Sequence, residues 1–384
     1  MSDNSLSVKY RPRKLEDVIG QQVPITSITN AFKNKTLHHA LIFAGKYGCG
    51  KTSMARLLAA MENCEKGASL EPCGECGNCR SIFSGESTDI KELDVASNGG
   101  IDDIRAIAKE IKYAPLSCKV KYVIFDEAHR LTDASAEAAL KMIEEPPENV
   151  RFILCTTDPH LLKDTIHSRC ITLKFHQVGW NEMFLNLEKV VKQEKIEIED
   201  TALKLAARYA DGSVRNSLVN LQSLVNFAGE RKITVDDAKK VLGAVDDIMF
   251  FKLIDAVIGP NIVSGVKIIS ELLRDGRDYV QVTNALFGHL RNLMLFKTCR
   301  GEETFGLMPD EVKAFKEQAA KIFIESIIDI IALLTNANTN VRVNLDPQFT
   351  LETFLINAVI AHNKVAANKK KKEADNKEKP KVAS

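Results

Sequence analysis

The sequence contains no long hydrophobic run. None of its apolar stretches approaches the roughly 20 residues that a helix needs to cross a bilayer. The opening residues, MSDNSLSVKYRPRKLEDV, include no apolar segment of the kind found in secretory signals. We therefore expect a cytoplasmic protein without membrane contacts, in a compartment that keeps thiols reduced. That expectation argues against disulfide bonds.

The sequence also has almost no net charge: 52 Lys and Arg against 51 Asp and Glu leave +1. No global electrostatic field attracts nucleic acid, so a DNA contact would have to come from local patches or helix ends. The one strong charge run is NKKKKEADNKEKPKVAS, from Asn368 onward. We expect residues 366–384 to form a disordered Lys-rich tail, which is either simply solvated, a weak phosphate contact or a linker.

Short apolar runs alternate with helical patterns in residues 1–177, as in βαβ units. This pattern predicts an α/β domain with a mainly parallel sheet. After Gln177 the strand signals stop, so we predict a small helical domain over 178–243 and a third, all-helical domain over 244–365, with a boundary near Gly243. The predicted strands are HALIFAG, DIKELDV, KYVIFDE, RFILCTT and CITLKFH.

The segment GKYGCGKT, from Gly45 to Thr52, matches the phosphate-binding loop G-x-x-x-x-G-K-[ST] at every position. It follows a predicted strand and precedes a predicted helix, as that motif requires. Backbone N–H groups of such a loop surround phosphates, and the following helix N-terminus adds positive potential. Lys51 is expected to reach the β- and γ-phosphates of ATP, and Thr52 to ligate Mg²⁺. The loop residues predicted to bind nucleotide are Gly45, Lys46, Tyr47, Gly48, Cys49, Gly50, Lys51 and Thr52.

A second apolar strand ends in the acidic pair Asp126 and Glu127, within YVIFDEAH. Ligands of parallel sheets bind at the carboxyl ends of the strands, where this pair is predicted to lie. Asp126 is expected to hold Mg²⁺ through water, and Glu127 to orient and polarise an attacking water. The letters DEAH also occur in helicases with two tandem α/β motor domains, but the helical pattern beyond residue 178 excludes that architecture.

Four cysteines lie within residues 63–80: Cys64, Cys73, Cys76 and Cys79. Their spacing supplies four thiolates for a tetrahedral Zn²⁺ with no open coordination position, which predicts a structural zinc module. An iron–sulfur cluster and a redox Cys-x-x-Cys pair remain as alternatives. Elsewhere, Cys49 lies inside the phosphate loop near helix-end N–H groups, which would lower its pKa and make it oxidisable.

Several motifs occur in the order found in AAA+ ATPases: GKYGCGKT, FDEAH, TTD at 156–158, SRC at 168–170 and GSVRNSL at 212–218. YRPRKLEDVIGQ and EEPPENVRFILCTTDPHLL resemble the clamp-loader branch. With the cysteine module added, the chain resembles the gamma/tau family of bacterial DNA polymerase III, which has zinc at these cysteines. The resemblance runs from about residue 8 to 243 and more loosely to about 360.

The resemblance implies roles for three further residues. Arg169 would be an arginine finger that acts on the nucleotide of a neighbouring subunit, Thr157 a polar sensor of the γ-phosphate or the water, and Arg215 a sensor in its own subunit. The N-terminal segment would cradle the base, through Tyr10, Arg11, Pro12, Val18 and Ile19.

Residues Ser97, Asn98 and Gly99 in DVASNGGIDDIRAIAKE are predicted to cap a helix whose free N–H groups can meet a phosphate. The resemblance implies that such helices line a chamber that follows duplex DNA. Arg105 and Lys141 are expected to assist in contacting the DNA.

The implied function is that of an ATP-hydrolysing clamp-loader subunit, with no polymerase site of its own. It would open and load a ring-shaped sliding clamp onto primer–template DNA, in a ring-like pentamer with delta, delta-prime and further gamma/tau copies. The alternatives are another AAA+ DNA motor, such as a branch-migration or archaeal-type clamp-loader small subunit, and a non-catalytic scaffold like delta-prime.

Overall fold

The structure, a computed structural model, describes residues 5–242, 247–259, 261–274, 279–298, 307, 309–341 and 346–377. The chain divides into two units, Met1–Ala238 and Lys239–Ser384. The boundary predicted near Gly243 lies outside the described residues. No helix in the described part of the chain is both long and apolar enough to span a bilayer.

A five-stranded parallel sheet forms the centre of the first unit, in the strand order β2-β3-β4-β1-β5. All five strands predicted from the sequence are present, and the prediction of an α/β domain with a parallel sheet is confirmed. The strands are β1 (Ala40–Ala44), β2 (Ile90–Asp94), β3 (Lys121–Asp126), β4 (Val150–Thr156) and β5 (Ile171–Lys174).

Both faces of the sheet are covered, which explains why β1 is apolar at every position and why β3 and β4 are apolar along most of their length. Successive side chains of a strand point to opposite faces. Accordingly, Leu41 and Phe43 of β1 belong to one core cluster, and Ile42 belongs to another. The helices from the N-terminus to β5 are α1 (Leu6–Lys9), α2 (Gln22–Lys33), α3 (Lys51–Asn63), α4 (Gly77–Ser84), α5 (Val95–Asn98), α6 (Ile101–Glu110), α7 (Asp133–Glu144) and α8 (Asp164–His167).

The two core clusters assign the helices to the faces of the sheet. Helix α3 contributes Met54 and Leu57 to the cluster that contains Phe43. Helices α6 and α7 contribute Ile104 and Ala139 to the cluster that contains Ile42. The sheet is therefore the middle of three layers, and its strand ends remain open to ligands.

Four helices follow β5 within or at the end of the first unit, as the helical pattern of residues 178–243 predicts. They are α9 (Trp180–Glu194), α10 (Asp200–Arg208), α11 (Val214–Ala228) and α12 (Val235–Val241). Helix α11 begins with a side-chain cap, because Ser213 Oγ accepts the N–H of Asn216 at 3.1 Å.

The second unit is helical throughout its described residues, as predicted. Its core gathers large side chains from each helix, among them Phe250, Leu286 and Phe315. The helices are α13 (Asp247–Ile258), α14 (Ile262–Arg274), α15 (Tyr279–Thr298), α16 (Pro309–Lys321), α17 (Ile324–Val341) and α18 (Pro347–Lys377).

The Lys-rich segment differs from the prediction of disorder, because α18 continues through it as far as Lys377. Lys, Ala and Glu are good helix formers, so a helix that starts in the core can extend through them. One of the lysines is also anchored: Lys369 Nζ lies 2.9 Å from a carboxylate oxygen of Glu325 and 4.7 Å from the ring centre of Phe323. Residues 378–384 lie outside the described residues.

A buried polar network ties the loop before β3 to the cysteine segment. The carboxylate of Asp89 accepts the N–H groups of Leu116, Ser117 and Cys118 at 2.8–3.1 Å. Asn78, between two of the clustered cysteines, donates to the carbonyls of Asn63 and Ser117 at 3.0 and 3.1 Å. Burial raises the pKa of the Asp89 carboxyl, but the three N–H groups outweigh burial and leave its pKa lowered.

We predict that Asp89→Asn lowers the free energy of unfolding of the first unit by about 2–3 kcal/mol, because the amide cannot replace a carboxylate that accepts three N–H bonds. Urea unfolding followed through Trp180, the only tryptophan, measures this change. Since the pKa of Asp89 is lowered, its carboxylate contributes fully to the free energy of unfolding above the ordinary carboxyl pKa. This contribution is lost as the pH falls through the lowered pKa. The control is Asp102→Asn, whose carboxylate is 92% exposed; an equal effect in both variants would contradict the prediction.

Candidate functional site

The loop between β1 and α3 has the backbone geometry of a phosphate-binding loop. Gly48 and Gly50 have φ values of +75° and +100°, in the left-handed region that favours glycine. Gly50 directly precedes the first helical residue, Lys51. The glycine spacing in the sequence therefore serves a loop that turns tightly onto the helix N-terminus, where backbone N–H groups can meet an anion.

Lys51 is only 5% exposed and lies inside the loop. Its Nζ donates to the carbonyl oxygens of Gly45 at 2.7 Å and Lys46 at 3.0 Å. In the described part of the chain it forms no ion pair with a carboxylate. Its positive charge is therefore held at the loop by neutral acceptors and remains available to an anionic ligand.

The acidic pair at the end of β3 lies against the first turn of α3. Thr52 Oγ1 donates to Asp126 Oδ2 at 3.0 Å, so a hydroxyl and a carboxylate are adjacent, as a Mg²⁺ site of this kind requires. Glu127 follows in the left-handed region with φ of +52°, and its N–H donates to Asp126 Oδ1 at 3.1 Å. The carboxylate of Asp126 thus lies against Thr52, whereas that of Glu127 lies near Thr157.

Strand β4 lies between β1 and β3, which brings its carboxyl end to the acidic pair. Thr157 Oγ1 lies 3.3 Å from Glu127 Oε2 and 2.8 Å from Asp158 Oδ2. The sequence analysis missed His129, whose Nδ1 lies 3.1 Å from Thr156 Oγ1 and 3.5 Å from Glu127 Oε2. Its position in YVIFDEAH, two residues after Glu127, was the available signal.

A cavity of about 220 Å³ joins the loop, the acidic pair and the N-terminal segment. All of the residues predicted to cradle a base line it. These are Tyr10, Arg11, Pro12, Val18 and Ile19. Burial and the guanidinium of Arg56 lower the pKa of Arg11. A half-buried cation beside another cation favours an anionic ligand in this cavity.

The sequence analysis also missed Gln21, which is fully buried at the base of the loop. Its Nε2 donates to the carbonyl of His176 at 2.7 Å and points to that of Cys49 at 3.4 Å, while its Oε1 accepts the N–H of His176 at 3.0 Å. Gln21 thus ties the loop to the chain just after β5. Its place in YRPRKLEDVIGQ was the only sequence signal.

The two predicted arginines lie in different surroundings. Arg215 lines the cavity, and its Nη1 donates to the hydroxyl of Tyr47 at 2.7 Å. Arg169 does not line the cavity. It is 40% exposed, forms an ion pair with Glu144 at 2.7 Å and donates to the carbonyl of Thr165 at 3.0 Å. The structure therefore brings Arg215, but not Arg169, to the site of its own chain.

The residues predicted to contact DNA are not arranged as expected. Ser97 and Asn98 lie within the short helix α5, and Ser97 Oγ donates to Asp94 Oδ2 at 2.7 Å. Helix α6 begins after Gly100, whose N–H donates to Asp103 Oδ2 at 3.2 Å. The prediction that Ser97, Asn98 and Gly99 cap the long helix was wrong, because Asp94 starts a separate turn. Arg105 on α6 and Lys141 on α7 are exposed.

The four clustered cysteines form one potential metal site. The sulfur atoms of Cys64, Cys73, Cys76 and Cys79 all lie within 4.8 Å of one another, and those of Cys73 and Cys79 are 4.0 Å apart. Tetrahedral Zn–S bonds of about 2.3 Å would place the sulfurs about 3.8 Å apart. The backbone N–H groups of Cys76 and Cys79 lie 3.4 and 3.3 Å from the sulfurs three residues before them. This donor set fits a single tetrahedral metal ion.

The surroundings of these thiols differ. Backbone N–H groups of Glu75 and Cys76 lower the pKa of Cys73 to about 6, whereas burial raises the pKa of Cys79. Outside the module, the prediction of a lowered pKa for Cys49 was wrong. The thiol is 2% exposed, and burial raises its pKa more than Lys51 lowers it.

The strand order, the phosphate loop after β1 and the acidic pair after β3 together define a P-loop ATPase of the AAA+ class, followed by helical regions. Models of known families match three consecutive parts of the chain. "DNA polymerase III, delta subunit" matches residues 20–179, "DNA polymerase III clamp loader subunit, ATPase lid domain" residues 184–224, and "DNA polymerase III subunits gamma and tau domain III" residues 233–373.

Individual relatives agree with these matches. The chain is 33% identical to DNA polymerase III subunit tau of Bacillus subtilis over 96% of this chain and 65% of that one. It is 36% identical to subunit tau of Escherichia coli over 77% of this chain and 46% of that one. It is 32% identical to subunit gamma of Buchnera aphidicola over 84% of this chain and 88% of that one. The chain belongs to the gamma/tau family of DNA polymerase III, and it spans less than two thirds of the length of the two tau relatives.

Proposed function

We propose that this chain is the ATP-hydrolysing motor subunit of a bacterial clamp loader. The observation that carries the proposal is a single cavity lined by the phosphate loop, the acidic pair and the N-terminal segment. Together with the family, this arrangement favours ATP as the ligand. The intact Lys51, Thr52, Asp126 and Glu127 argue against a non-catalytic scaffold.

In the proposed mechanism the loop N–H groups and Lys51 hold the phosphates of ATP. Lys51 would exchange its contacts with the carbonyls of Gly45 and Lys46 for phosphate oxygens. Thr52 and Asp126 would hold Mg²⁺, which when bound neutralises charge on the β- and γ-phosphates. Glu127 would orient the attacking water, and Thr157, within hydrogen-bonding distance of Glu127, would align it.

The two arginines would act on different nucleotides. Arg215 lines the cavity of its own chain and would contact the phosphates there. Arg169 is exposed, away from that cavity, and would act on the nucleotide of the adjoining subunit. ATP would then be cut efficiently only in an assembly that aligns neighbouring chains.

The cysteine module would hold a structural zinc ion. All four ligands are protein thiols, so no coordination position remains for substrate. Its thiolates suit the reducing cytoplasm in which we place the protein. Asn63 and Asn78, next to two of the ligands, would transmit the stability of the module to the loop before β3.

The chain would assemble with delta, delta-prime and further gamma/tau copies. ATP binding would then close this assembly onto a sliding clamp. Primer–template DNA would then trigger hydrolysis and release of the clamp around the DNA. Binding to DNA would use the phosphate backbone and would therefore depend steeply on salt. Since the chain has a net charge of only +1, these contacts would come from local patches or helix ends. Nucleotide polymerisation would belong to other subunits.

We predict that Glu127→Gln leaves the affinity for ATP nearly unchanged and lowers hydrolysis by about 10²- to 10⁴-fold, because the amide cannot polarise water. Fluorescent-nucleotide binding and phosphate release, measured in the reconstituted complex, test both parts. Glu148→Gln, at an exposed acid outside the site, is the matched control. Loss of binding in parallel with turnover would contradict the role given to Glu127.

We predict that Arg169→Ala leaves ATP binding nearly intact and lowers hydrolysis in the assembled complex by about 10³-fold or more. Arg169→Lys should recover only part of the rate, since an ammonium lacks the planar fork of arginine. The control is Arg274→Ala, at another exposed arginine. If the complex that contains Arg169→Ala hydrolyses ATP at the unaltered rate, Arg169 is not an arginine finger.

We predict that the purified chain carries about one zinc ion, and that Cys73→Ser removes it and lowers the midpoint of urea unfolding. Cys170→Ser, outside the module, should keep the metal. Elemental analysis measures the zinc, and the visible absorption spectrum tests the alternative metal centre. Visible absorption from bound iron would overturn the zinc assignment.

A further inference from the structure

The tip of the phosphate loop packs directly against the start of α11. A Cβ atom built on Gly48 would lie 1.9 Å from Ser213 Oγ and 2.9 Å from Ser213 Cβ. Ser213 is 3% exposed and is the residue that caps α11. The backbone of the loop at Gly48 is therefore in close contact with Ser213, which lies two residues before Arg215 in the sequence.

Tyr47, the neighbour of Gly48, makes two contacts with Arg215. The guanidinium carbon lies 5.5 Å from the centre of the Tyr47 ring, and Nη1 donates to the Tyr47 hydroxyl at 2.7 Å. Both residues line the cavity that the phosphate loop also lines. A cation over an aromatic face and a hydrogen bond to the same side chain restrict a long, flexible arginine to one position.

The chemistry of this partner determines what the contact can do. Within the described residues Arg215 forms no ion pair with a carboxylate. A phenol is neutral, so it orients the guanidinium without cancelling its charge, whereas a carboxylate would compete with phosphate for the same N–H groups. Arg215 also lies close enough to Arg11 to contribute to the lowered pKa of Arg11. Its positive charge therefore faces a cavity that already favours anions.

We propose that Tyr47 is a positioning residue for Arg215: it holds the guanidinium in the cavity beside the phosphate loop and so favours a triphosphate over a diphosphate. This inference rests on the proposed role of Arg215 as a phosphate contact in its own chain. The backbone of Tyr47 belongs to the phosphate loop, and its side chain acts through Arg215.

A double-mutant cycle on the full chain tests this inference, with Tyr47→Ala, Tyr47→Phe, Arg215→Ala and the double variant Tyr47→Ala/Arg215→Ala. The readouts are the dissociation constants of a non-hydrolysable ATP analogue and of ADP. Tyr47→Ala should lower the affinity for the triphosphate about five- to tenfold, because the ring and the hydrogen bond are lost, and should lower the affinity for ADP much less. Tyr47→Phe keeps the ring and should weaken the triphosphate only about two- to threefold.

In the Arg215→Ala background, Tyr47→Ala should produce no further loss, because the group that it positions is absent. The control is Tyr113→Ala. Tyr113 is 74% exposed, lies on the loop before β3 and does not line the cavity, so its removal should change neither constant.

The outcomes separate the inference from the proposed function. If Arg215→Ala leaves triphosphate affinity unchanged, the role of Arg215 is wrong, and the role of Tyr47 falls with it. If Arg215→Ala weakens the triphosphate but the losses of the two single variants multiply in the double variant, Arg215 keeps its role and Tyr47 does not position it. Equal weakening of ATP analogue and ADP in Tyr47→Ala would likewise overturn the inference.

Discussion

The site depends on the insertion of β4 between β1 and β3. Neighbouring parallel strands lie about 4.8 Å apart, so the ends of β1 and β3 are separated by about 10 Å. The loop after β1 and the first turn of α3 bridge that gap, and the hydrogen bond from Thr52 to Asp126 closes it at 3.0 Å. The same insertion places Thr157 beside Glu127. A sheet with β1 paired directly to β3 could not accommodate a polar residue from a third strand between the loop and the acids.

Much of this arrangement could be predicted from the sequence. The phosphate loop and the acidic pair are local motifs, and the five strands are short apolar runs, so their existence follows from nearby residues. The strand order was not predicted, because it depends on pairings between residues that are far apart in sequence. The contacts of Gln21 with His176 and of His129 with Thr156 were missed for the same reason.

Two errors show where local reasoning fails. A lowered pKa for Cys49 was inferred from nearby helix-end N–H groups, but burial of the thiol outweighs them. The Lys-rich segment was predicted to be disordered from its composition, yet the helix that precedes it extends through it to Lys377. For Cys49 the deciding factor is burial, which the spacing of motifs does not reveal. For the Lys-rich segment it is the helix that starts in the core and continues into good helix formers, which charge composition alone does not reveal.

Specific polar side chains connect the phosphate loop to its neighbours, and others connect the cysteine module to the loop before β3. Gln21 and Tyr47 link the phosphate loop to the chain after β5 and to α11, while Asn63 and Asn78 link the cysteine segment to the loop before β3. We infer that a change in the bound nucleotide would shift α11 directly, because residues at the start of α11 contact the tip of the loop.

We propose that a cation from one chain completes the site of the next. The most direct test mixes Lys51→Ala chains, which keep Arg169 but lack the lysine proposed to bind phosphate, with Arg169→Ala chains, which have the opposite defect. Each variant alone should be nearly inactive in the reconstituted complex, and the mixture should recover ATP hydrolysis at the interfaces where the intact halves meet. A mixture as inactive as its two components would contradict the account.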